Sequence, residues 1–352
     1  MKNSLTLSVL NLLIVLTILF FSNSKISNAC TRVVYQGPGG YTITARSMDW
    51  KDEIPANLWL FPKGMERKGE VGPNSVTWKS KYGSIVTSAF DISSCDGMNE
   101  KGLVANLLWL AESKYPAYDG RQKGISIAAW VQYVLDNFSS VEETVNEMKK
   151  EEFVIVSTNI PGTNTFASLH LSISDSKGDN AIFEYIDGKL TIHHDMKYTV
   201  MTNSPIFDKQ LALNDYWEQI GGTVMLPGTN RAADRFARAS FYITAIPQTE
   251  DSRIAVGSVF SVIRNCSVPF GISSEEEPNI SSTRWRSVSD QKHLVYYFET
   301  VLTPNSFWVD IKNADFSEGA PVKKLSVENN ETYDGDALKS FIVSEPFKFA
   351  GL

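Results

Sequence analysis

The sequence predicts an α+β fold built on antiparallel sheets, and three observations favour this class. Short β-prone segments open the chain, helical segments interrupt them, and strand-like segments return in the middle and near the end. Glycine-containing turns lie between several neighbouring strand-like segments, as in β-hairpins. Strands and helices do not alternate one by one, as the βαβ units of a parallel sheet would require.

The first predicted element is a hairpin. Residues 30–36 (CTRVVYQ) and 41–46 (YTITAR) are β-prone, and Gly-Pro-Gly-Gly stands between them. If the turn is centred near residues 38–39, the numbers of paired residues add up to about 77. The hairpin therefore fixes which residues face each other without any long-range assumption.

This register brings charged residues close to Cys30. Cys30 is expected opposite Arg46 or Ser47, to within one or two residues. Asp49 follows on the same returning strand. Local folding alone is thus expected to gather a thiol, a guanidinium and a carboxylate.

The remaining strands are predicted from short β-prone segments bounded by turn residues. Tight turns at residues 177–180 and 187–188 separate three of them. The segments are 57–61, 75–78, 84–90, 103–110, 153–157, 168–174, 181–186, 189–193, 198–201, 284–288, 294–299 and 307–311.

Four segments are predicted to be helical. Residues 124–138 place apolar side chains on one stripe at helical spacing. Ser140 and Glu143 form a capping box that begins a second helix, which reaches about residue 151. Residues 231–246 and 252–263 are the other two.

The first 29 residues have the layout of a secretory signal peptide. Lys2 precedes an apolar block at 9–21, and Ser27 and Ala29 place small residues at −3 and −1 relative to Cys30. The block is shorter than the roughly 20 residues of a membrane-spanning helix. We expect a soluble mature protein, residues 30–352, that is periplasmic or secreted and has no membrane partner after cleavage. An uncleaved N-terminal anchor is the alternative.

Composition limits the partners and the domain count. Apolar residues make up 43% of the chain, with 8 Trp, 13 Tyr and 19 Phe, and no repeat or linker is evident, so we predict one domain over residues 30–352. Loss of Lys2 and Lys25 with the leader changes the net charge from −7 to −9. No dense basic patch stands out, so nucleic acid is not an expected partner.

The familiar cofactor and metal motifs are missing from the sequence. It contains no GxSxG, Walker loop, HExxH or CxxC motif, and His193 and His194 are adjacent, hence on opposite faces of a strand. We therefore expect neither a metal nor another cofactor. Three cysteines leave at least one thiol unpaired. Cys95 and Cys266 are either paired with each other or buried and unreactive.

Cys30 has the position of an N-terminal nucleophile. Cleavage would free its α-amine, whose ordinary pKa of about 7.7–8.0 suits proton transfer at neutral pH. The thiol, with an ordinary pKa of about 8.5, would be activated by Arg46 across the hairpin. Asp49 would hold the ammonium.

Several blocks in order resemble the choloylglycine hydrolase family, which contains penicillin V acylases and conjugated bile salt hydrolases. The blocks are CTRVVYQG and ARSMDW at the start, LFPKGM at 60–65, CDGMNEKGL at 95–103, MTNSP at 201–205, LPG and DRF within 226–236, and DFSEGAP at 315–321. The resemblance implies an N-terminal-nucleophile (Ntn) hydrolase with a four-layer αββα sandwich of two antiparallel sheets.

The resemblance also implies roles for individual residues. Cys30 would be the nucleophile and its α-amine the base, with Arg46 and Asp49 in support. Asn203 of TNSP would donate its side-chain NH₂ to an oxyanion, and Arg235 of DRF would stabilise the thiolate region. A backbone N–H near Trp109 would complete the oxyanion hole.

Two features resemble the Gram-negative branch of the family. Trp109 stands where the bile salt hydrolases of Gram-positive bacteria are expected to have Asn, and only 31 residues separate Asn203 from Arg235. Trp50 and Trp109 are expected to bind the acyl group of a small-molecule amide. The substrate would have an apolar acyl group, as in penicillin V or an acyl-homoserine lactone, or alternatively a bile conjugate. A homo-oligomer is possible within this family.

Two interpretations compete with an amidase. A lipid-anchored binding protein would have Cys30 acylated, but Ser27 and Asn28 precede it where lipoproteins usually have Leu and a small residue. A structural Cys30–Cys95 disulfide is the other, and it leaves Arg46 unexplained.

The mature N-terminus tests all three hypotheses. Because Ser27 and Ala29 suit a signal peptidase, mass spectrometry of the exported protein should find Cys30 first, with a free amine. A protein that keeps a blocked residue before Cys30 should fold and hydrolyse nothing, because the base is missing. An acylated Cys30, or full activity of the blocked protein, would contradict the α-amine mechanism.

Overall fold

The computed structural model describes residues 30–272, 281–303, 305–329 and 331–352. The predicted signal peptide over residues 1–29 lies outside this described part. In the described ranges, no helix has the length and apolar character needed to cross a membrane.

Two antiparallel-rich sheets stack face to face and carry helices on their outer sides. The strands of the first half are β1 Thr31–Gly37, β2 Tyr41–Trp50, β3 Asn57–Phe61, β4 Glu66–Lys68, β5 Thr77–Lys79, β6 Ser84–Ala89, β7 Ser93–Asn99, β8 Val104–Trp109, β9 Gly124–Ser126 and β10 Val154–Val156. Those of the second half are β11 Leu169–Ser174, β12 Asn180–Ile186, β13 Lys189–His194, β14 Val200–Met201, β15 Ser282–Asp290, β16 Val295–Thr300, β17 Phe307–Asp310, β18 Lys323–Ser326, β19 Gly335–Asp336 and β20 Ile342–Val343. The helices are α1 Trp130–Asn137, α2 Val141–Met148, α3 Phe207–Ile220, α4 Ala232–Ala245 and α5 Ser252–Asn265.

The sheet order defines the layers. Within the described residues the first sheet runs β14-β1-β2-β15-β16-β17-β19, and the second runs β13-β12-β11-β8-β7-β6-β3-β18-β20. Helices α4 and α5 pack on β1 and β2, whereas α1 packs on β7 and β8 of the other sheet. The strands β2 and β8 contact each other across the gap between the sheets. The α+β class and the αββα sandwich are therefore confirmed.

The first hairpin folds nearly as predicted. Thr31 pairs with Ser47 and Arg32 with Arg46, so the numbers of paired residues add up to 78. Cys30, just before β1, is therefore next to Met48 rather than Arg46 or Ser47, a shift of one residue from the prediction. The turn is a short 3₁₀ segment, Pro38–Gly40, in which Gly39 adopts a φ of 63° that glycine tolerates.

The segment 124–138 is only partly helical. Residues Gly124–Ser126 form β9, which pairs in parallel with β10, and a 3₁₀ turn at Ile127–Ala129 leads into α1. The prediction of helix from residue 124 is thus wrong for its first residues. The capping box at Ser140 is confirmed in part: Ser140 accepts from the Glu143 N–H, but Glu143 accepts from the Ser139 N–H.

Several elements have no counterpart in the sequence prediction, and strand β7 and helix α3 are the longest of them. Strand β7 has the sequence SSCDGMN and is almost entirely buried, although it contains few β-prone residues. A side chain at Gly97 would lie 2.5 Å from the Ile85 carbonyl oxygen, so β7 needs glycine to pack against β6. Helix α3 buries Phe207, Gln210 and Asn214, and two polar residues in the buried stripe hide its helical pattern.

Candidate active site

Cys30 lies at the bottom of an apolar pocket between the two sheets. Its side chain is buried, and its Sγ is 3.7 Å from the Asp49 carbonyl oxygen and 4.0 Å from the Met48 Sδ. The pocket is open to solvent, and about 800 Å³ of space, which includes open solvent at its mouth, lies between its walls. The thiol is therefore shielded by protein on one side and faces a ligand-sized space on the other.

Arg46 extends from the middle of β2 into the opposite sheet. The ladder between β7 and β8 ends with the pair Asp96 and Asn106. Where the next pair would form, Arg46 Nη1 donates to the Cys95 carbonyl at 3.0 Å and Nη2 to the Leu107 carbonyl at 2.8 Å. The guanidinium thus holds the two strands apart below the pocket and joins the two sheets.

The surroundings of Arg46 favour its charged form. Burial acts to lower its pKa, but the neighbouring Cys30, Cys95 and Asp96 together raise the pKa above its ordinary value. The ring of Trp285 lies 4.8 Å from the guanidinium carbon, which adds a cation–π contact. A permanent positive charge is therefore kept beside the thiol.

Asp96 is buried behind Arg46 in a polar network. Its Oδ2 is 3.8 Å from Arg46 Nη1 and accepts from Asn106 Nδ2 at 2.6 Å, while its Oδ1 accepts from the Tyr296 hydroxyl. Tyr296 also contacts Thr87 at 2.8 Å. Burial raises the pKa of the Asp96 carboxyl. No role for Asp96 is predicted from the sequence, although the residue lies within the CDGMNEKGL block.

Asn203 contacts Cys30 directly. Its Oδ1 accepts from the Cys30 nitrogen at 2.5 Å and from Arg235 Nη2 at 2.9 Å, and its Nδ2 donates to the Trp109 carbonyl at 2.7 Å. Two donors on one side and an acceptor on the other fix the orientation of the amide. The family resemblance implies a role for the NH₂ group of Asn203 but gives no indication of the contact between Oδ1 and the Cys30 nitrogen.

Arg235 ties α4 to the start of β1. It is fully buried, and its Nη1 donates to the Cys30 carbonyl and the Thr31 hydroxyl, both at 2.6 Å. Its Nε donates to the Asn230 carbonyl at 3.0 Å. Burial lowers the pKa of Arg235, and the nearby Asp49 opposes that effect. This guanidinium holds the backbone of Cys30.

Asp49 lies close to Cys30 through its backbone rather than its carboxylate. Its Oδ1 accepts from Thr283 at 2.5 Å and its Oδ2 from Ser47 at 3.2 Å. Burial raises the pKa of this carboxyl to about 6, although Arg235 acts to lower it. In the structure the hydrogen-bond partner of the Cys30 nitrogen is Asn203. The role of Asp49 toward the free ammonium stays a prediction.

The predicted substrate-binding residues come together at the pocket. The rings of Trp50 and Trp109 are 5.3 Å apart and meet at 60°. Both line the pocket, together with Phe90 at a tight turn between β6 and β7. Ala350, close to the end of the chain, lines it as well.

The wall formed by Ala350 belongs to the C-terminal segment. The Ala350 N–H donates to the carbonyl of Ile92 at 2.8 Å, and its carbonyl accepts from the Ser126 hydroxyl. Phe347 and Phe349 pack into the cluster between the second sheet and α1. The sequence offered no signal for this wall, because residue 350 is 320 positions away from Cys30.

The other two thiols differ from Cys30. Cys30, Cys95 and Cys266 are all free, so neither the Cys95–Cys266 pair nor the Cys30–Cys95 disulfide forms in the structure. Burial raises the pKa of Cys95 to about 12 and that of Cys266 to about 11. Both stay protonated and are poor nucleophiles at neutral pH.

Comparisons with known proteins agree with this architecture. The family model described as "Linear amide C-N hydrolases, choloylglycine hydrolase family" matches residues 30–324. A penicillin V acylase from Pectobacterium atrosepticum is 52% identical over 353 aligned residues, which cover 94% of each chain. A bile salt hydrolase/transferase from Clostridium perfringens is 27% identical and covers 89% of this chain and 96% of its own.

Two solved structures have the same fold as this chain. Penicillin V acylase from Agrobacterium tumefaciens superposes with a TM-score of 0.86 at 60% identity and covers 92% of this chain and 100% of its own. A mutant conjugated bile acid hydrolase from Clostridium perfringens has a TM-score of 0.72 at 24% identity, with 87% and 98% coverage, and supports the fold alone.

The fold and these matches define an Ntn hydrolase. Within that class the chain belongs to the choloylglycine hydrolase family and is an enzyme that hydrolyses linear amide C–N bonds. It is similar to penicillin V acylases over almost its whole length.

The buried carboxyl of Asp49 predicts a specific pH dependence of stability. Its pKa of about 6, raised from 3.8, means that the folded state binds this proton more tightly than the unfolded state. The stability that this proton contributes is complete below about pH 4 and is lost as pH rises through about 6. Relative to Asp49→Asn, the wild-type free energy of unfolding should fall by roughly 3 kcal/mol between about pH 4 and 7.

Denaturant unfolding of both proteins across this pH range measures the difference. Asp52→Asn, which changes an exposed carboxylate, is the matched control and should run parallel to the wild type. A constant difference between wild type and Asp49→Asn, or one that grows in favour of the wild type with pH, would contradict the assignment.

Proposed function

We propose that the protein is an exported, penicillin V acylase-like amidase that works through an acyl-thioester on Cys30. The observation that carries the proposal is the position of Cys30. Its sulfur faces the apolar pocket while its nitrogen is held by Asn203 Oδ1 at 2.5 Å. The same residue thereby presents a nucleophile and, once the leader is removed, a base.

The first step is attack of the Cys30 thiolate on the amide carbonyl carbon. The new S–C bond pushes the carbonyl electrons onto oxygen, and the positive charge of Arg46 stabilises the thiolate beforehand. Because the amide orientation of Asn203 is fixed, one Nδ2 hydrogen points to the Trp109 carbonyl and the other is available for the oxyanion.

The backbone N–H of Trp109 is the second proposed oxyanion donor. Leu110 N–H donates to the Ser168 carbonyl, and Trp109 pairs with Leu169. Backbone groups alternate in direction along an antiparallel strand, so those of Trp109 point away from β11. The Trp109 carbonyl meets Asn203 on that side, which supports the predicted register for the N–H.

Proton transfer through the α-amine completes both half-reactions. The ammonium of Cys30 gives a proton to the leaving nitrogen, the C–N bond breaks, and an amine departs. The neutral α-amine then takes a proton from water, and the resulting hydroxide attacks the thioester. The S–C bond breaks, the carboxylic acid leaves, and the thiolate and ammonium of Cys30 are restored. Asn203 Oδ1 keeps the amine in place through both transfers.

The pocket favours recognition of the acyl half of the substrate. Trp50 and Trp109 offer large apolar faces next to the thiol, and such faces bind apolar groups of varied shape. We propose phenoxyacetyl and fatty acyl amides, including acyl-homoserine lactones, as preferred substrates. The 27% identical bile salt hydrolase/transferase makes bile conjugates the alternative. The leader-like sequence over residues 1–29 supports export.

Substitution of the nucleophile and of Asn203 tests the mechanism. Cys30→Ala should abolish turnover without unfolding the protein, and Cys30→Ser should be nearly inactive because a hydroxyl is far less acidic. Asn203→Ala should lower kcat by about 10²–10³, the effect of losing one of two oxyanion donors. Steady-state kinetics give these values, and mass spectrometry after an acid quench should find the acyl group on Cys30. An unchanged kcat in Asn203→Ala, or turnover by Cys30→Ala, would contradict the mechanism.

A panel of amides tests the pocket. With one leaving amine and varied acyl groups, kcat/KM should follow the acyl group; with one acyl group and varied amines, it should change little. Ala350→Phe should narrow the pocket and lower kcat/KM for long acyl groups by about tenfold relative to short ones. Val343→Phe, an exposed position in the same C-terminal segment, is the matched control. Rates that follow the amine would contradict the roles of Trp50 and Trp109, and faster cleavage of bile conjugates would favour the alternative.

A further inference from the structure

His170 is a buried histidine with an unusual pair of neighbours. It lies on β11 with no exposed surface. Its Nδ1 is 3.1 Å from Glu184 Oε1, and its Nε2 is 2.8 Å from the carbonyl oxygen of Thr202. Thr202 directly precedes Asn203, so this histidine contacts the segment that carries the oxyanion donor.

Both neighbours are hydrogen-bond acceptors. A neutral imidazole has one N–H and can satisfy only one of them. The carbonyl of Thr202 has no proton to give, so Nε2 must be the donor there. The contact with Glu184 then needs either a second ring proton or a protonated carboxyl.

The environment of Glu184 favours the carboxylate. Its two oxygens accept from the Phe207 N–H, each at 3.2 Å, and its Oε2 is 3.4 Å from His193 Nε2. Burial acts to raise the pKa of Glu184, but the hydrogen bonds from His170 and His193 hold it at about 2. Because both oxygens accept from the Phe207 N–H, this geometry favours the carboxylate, and we assign the proton between His170 and Glu184 to the histidine.

We propose that His170 is a positioning residue, held as an imidazolium between Glu184 and Thr202, that fixes Asn203 in its working orientation. The inference rests on the proposed role of Asn203. A charge-assisted hydrogen bond is stronger than a neutral one, so the cation pins the Thr202 carbonyl more firmly than a neutral ring would.

Gln210 of α3 holds the same segment, residues 202–205, through a second set of hydrogen bonds. Gln210 Oε1 accepts from the Thr202 hydroxyl at 2.6 Å, and Gln210 Nε2 donates to the Asn203 and Pro205 carbonyls. Glu184 connects the contacts of His170 with those of α3, because it binds His170 and also accepts from the first N–H of α3. The backbone around Asn203 is thus held on both sides. Its side-chain amide contacts Cys30, Arg235 and the Trp109 carbonyl, and in the proposed mechanism it also contacts the substrate.

The charged groups around His170 come from three elements. Glu184 faces it from β12, His193 stands beyond Glu184 on β13, and Asp208 of α3 is 3.5 Å from His193 Nδ1. The net result is a chain of alternating imidazole rings and carboxylates that runs from the surface to Thr202.

Nitrogen NMR of the unaltered protein tests the protonation directly. The chain has four histidines, and loss of one signal in each of His193→Gln, His194→Gln and His293→Gln assigns the ring signals. We expect two ring N–H signals for His170 at neutral pH. A single protonated ring nitrogen on His170 would overturn the proposal, and this measurement needs no variant at residue 170 that might misfold.

Kinetics test whether His170 acts through Asn203. His170→Leu should lower kcat by roughly tenfold, because it leaves the buried Thr202 carbonyl unsatisfied, with KM changed less than about twofold. If His170 affects kcat by positioning Asn203, the double variant His170→Leu/Asn203→Ala should have the same kcat as Asn203→Ala alone. Losses that multiply in the double variant would overturn the positioning role. His194→Leu, on a nearby strand and bonded to Asp179, is the control and should keep wild-type kinetics.

The variant Glu184→Gln distinguishes the effect of a charge on the His170 ring from the effect of its hydrogen bond to Thr202. The amide that replaces the carboxylate can donate to His170 Nδ1, so a neutral ring would keep its bond to Thr202. We expect one ring N–H signal to disappear while kcat stays closer to wild type than in His170→Leu. Two persisting signals would contradict the assignment of the charge to this pair. Failure of the proposed function is distinct, because turnover by Cys30→Ala would refute the mechanism and leave the His170 signals unchanged.

Discussion

The structure depends on one buried guanidinium, that of Arg46, placed where two strands of the other sheet separate. Because it binds the Cys95 and Leu107 carbonyls, it replaces a missing rung of the β7–β8 ladder. Loss of this cation would leave two buried carbonyls unsatisfied, each at a cost of about 1–3 kcal/mol. The same contacts keep β7 and β8 apart at this point, join the two sheets and leave room for the pocket above Cys30. Arg46 therefore serves both the stability of the fold and the proposed reactivity of Cys30.

Desolvation explains why so many polar groups surround a single thiol. Arg46, Arg235 and Asp49 are all buried, and each would be costly without partners. Their hydrogen-bond network includes the proposed nucleophile: Arg235 holds the Cys30 carbonyl, and Asn203 holds the Cys30 nitrogen. The site is thus rigid before any substrate arrives, which is the condition for electrostatic stabilisation without reorganisation.

The parts of this arrangement that sequence can predict are those that local chain geometry decides. A glycine turn and two β-prone segments are enough to bring Arg46 near Cys30, and the observed register lies within the one or two residues that the prediction allowed. The roles of Asn203 and Arg235 came from family resemblance, since 173 residues separate Asn203 from Cys30. Asp96 and His170 escaped prediction because their partners lie on other strands. Helix α3 escaped because its N-terminal N–H is capped by Glu184 of β12 and its buried face contains Gln210 and Asn214.

The position of Asn203 shows how distant elements converge on one amide. The segment after β14 delivers it, α4 supplies Arg235, β8 supplies the Trp109 carbonyl, and the residue before β1 supplies the nitrogen that it holds. An amide satisfies these partners only when its oxygen faces the two donors and its nitrogen faces the carbonyl. The second side-chain N–H of Asn203 is the one that the proposed mechanism assigns to the oxyanion. The orientation of this amide follows from the requirement that its buried polar atoms find partners.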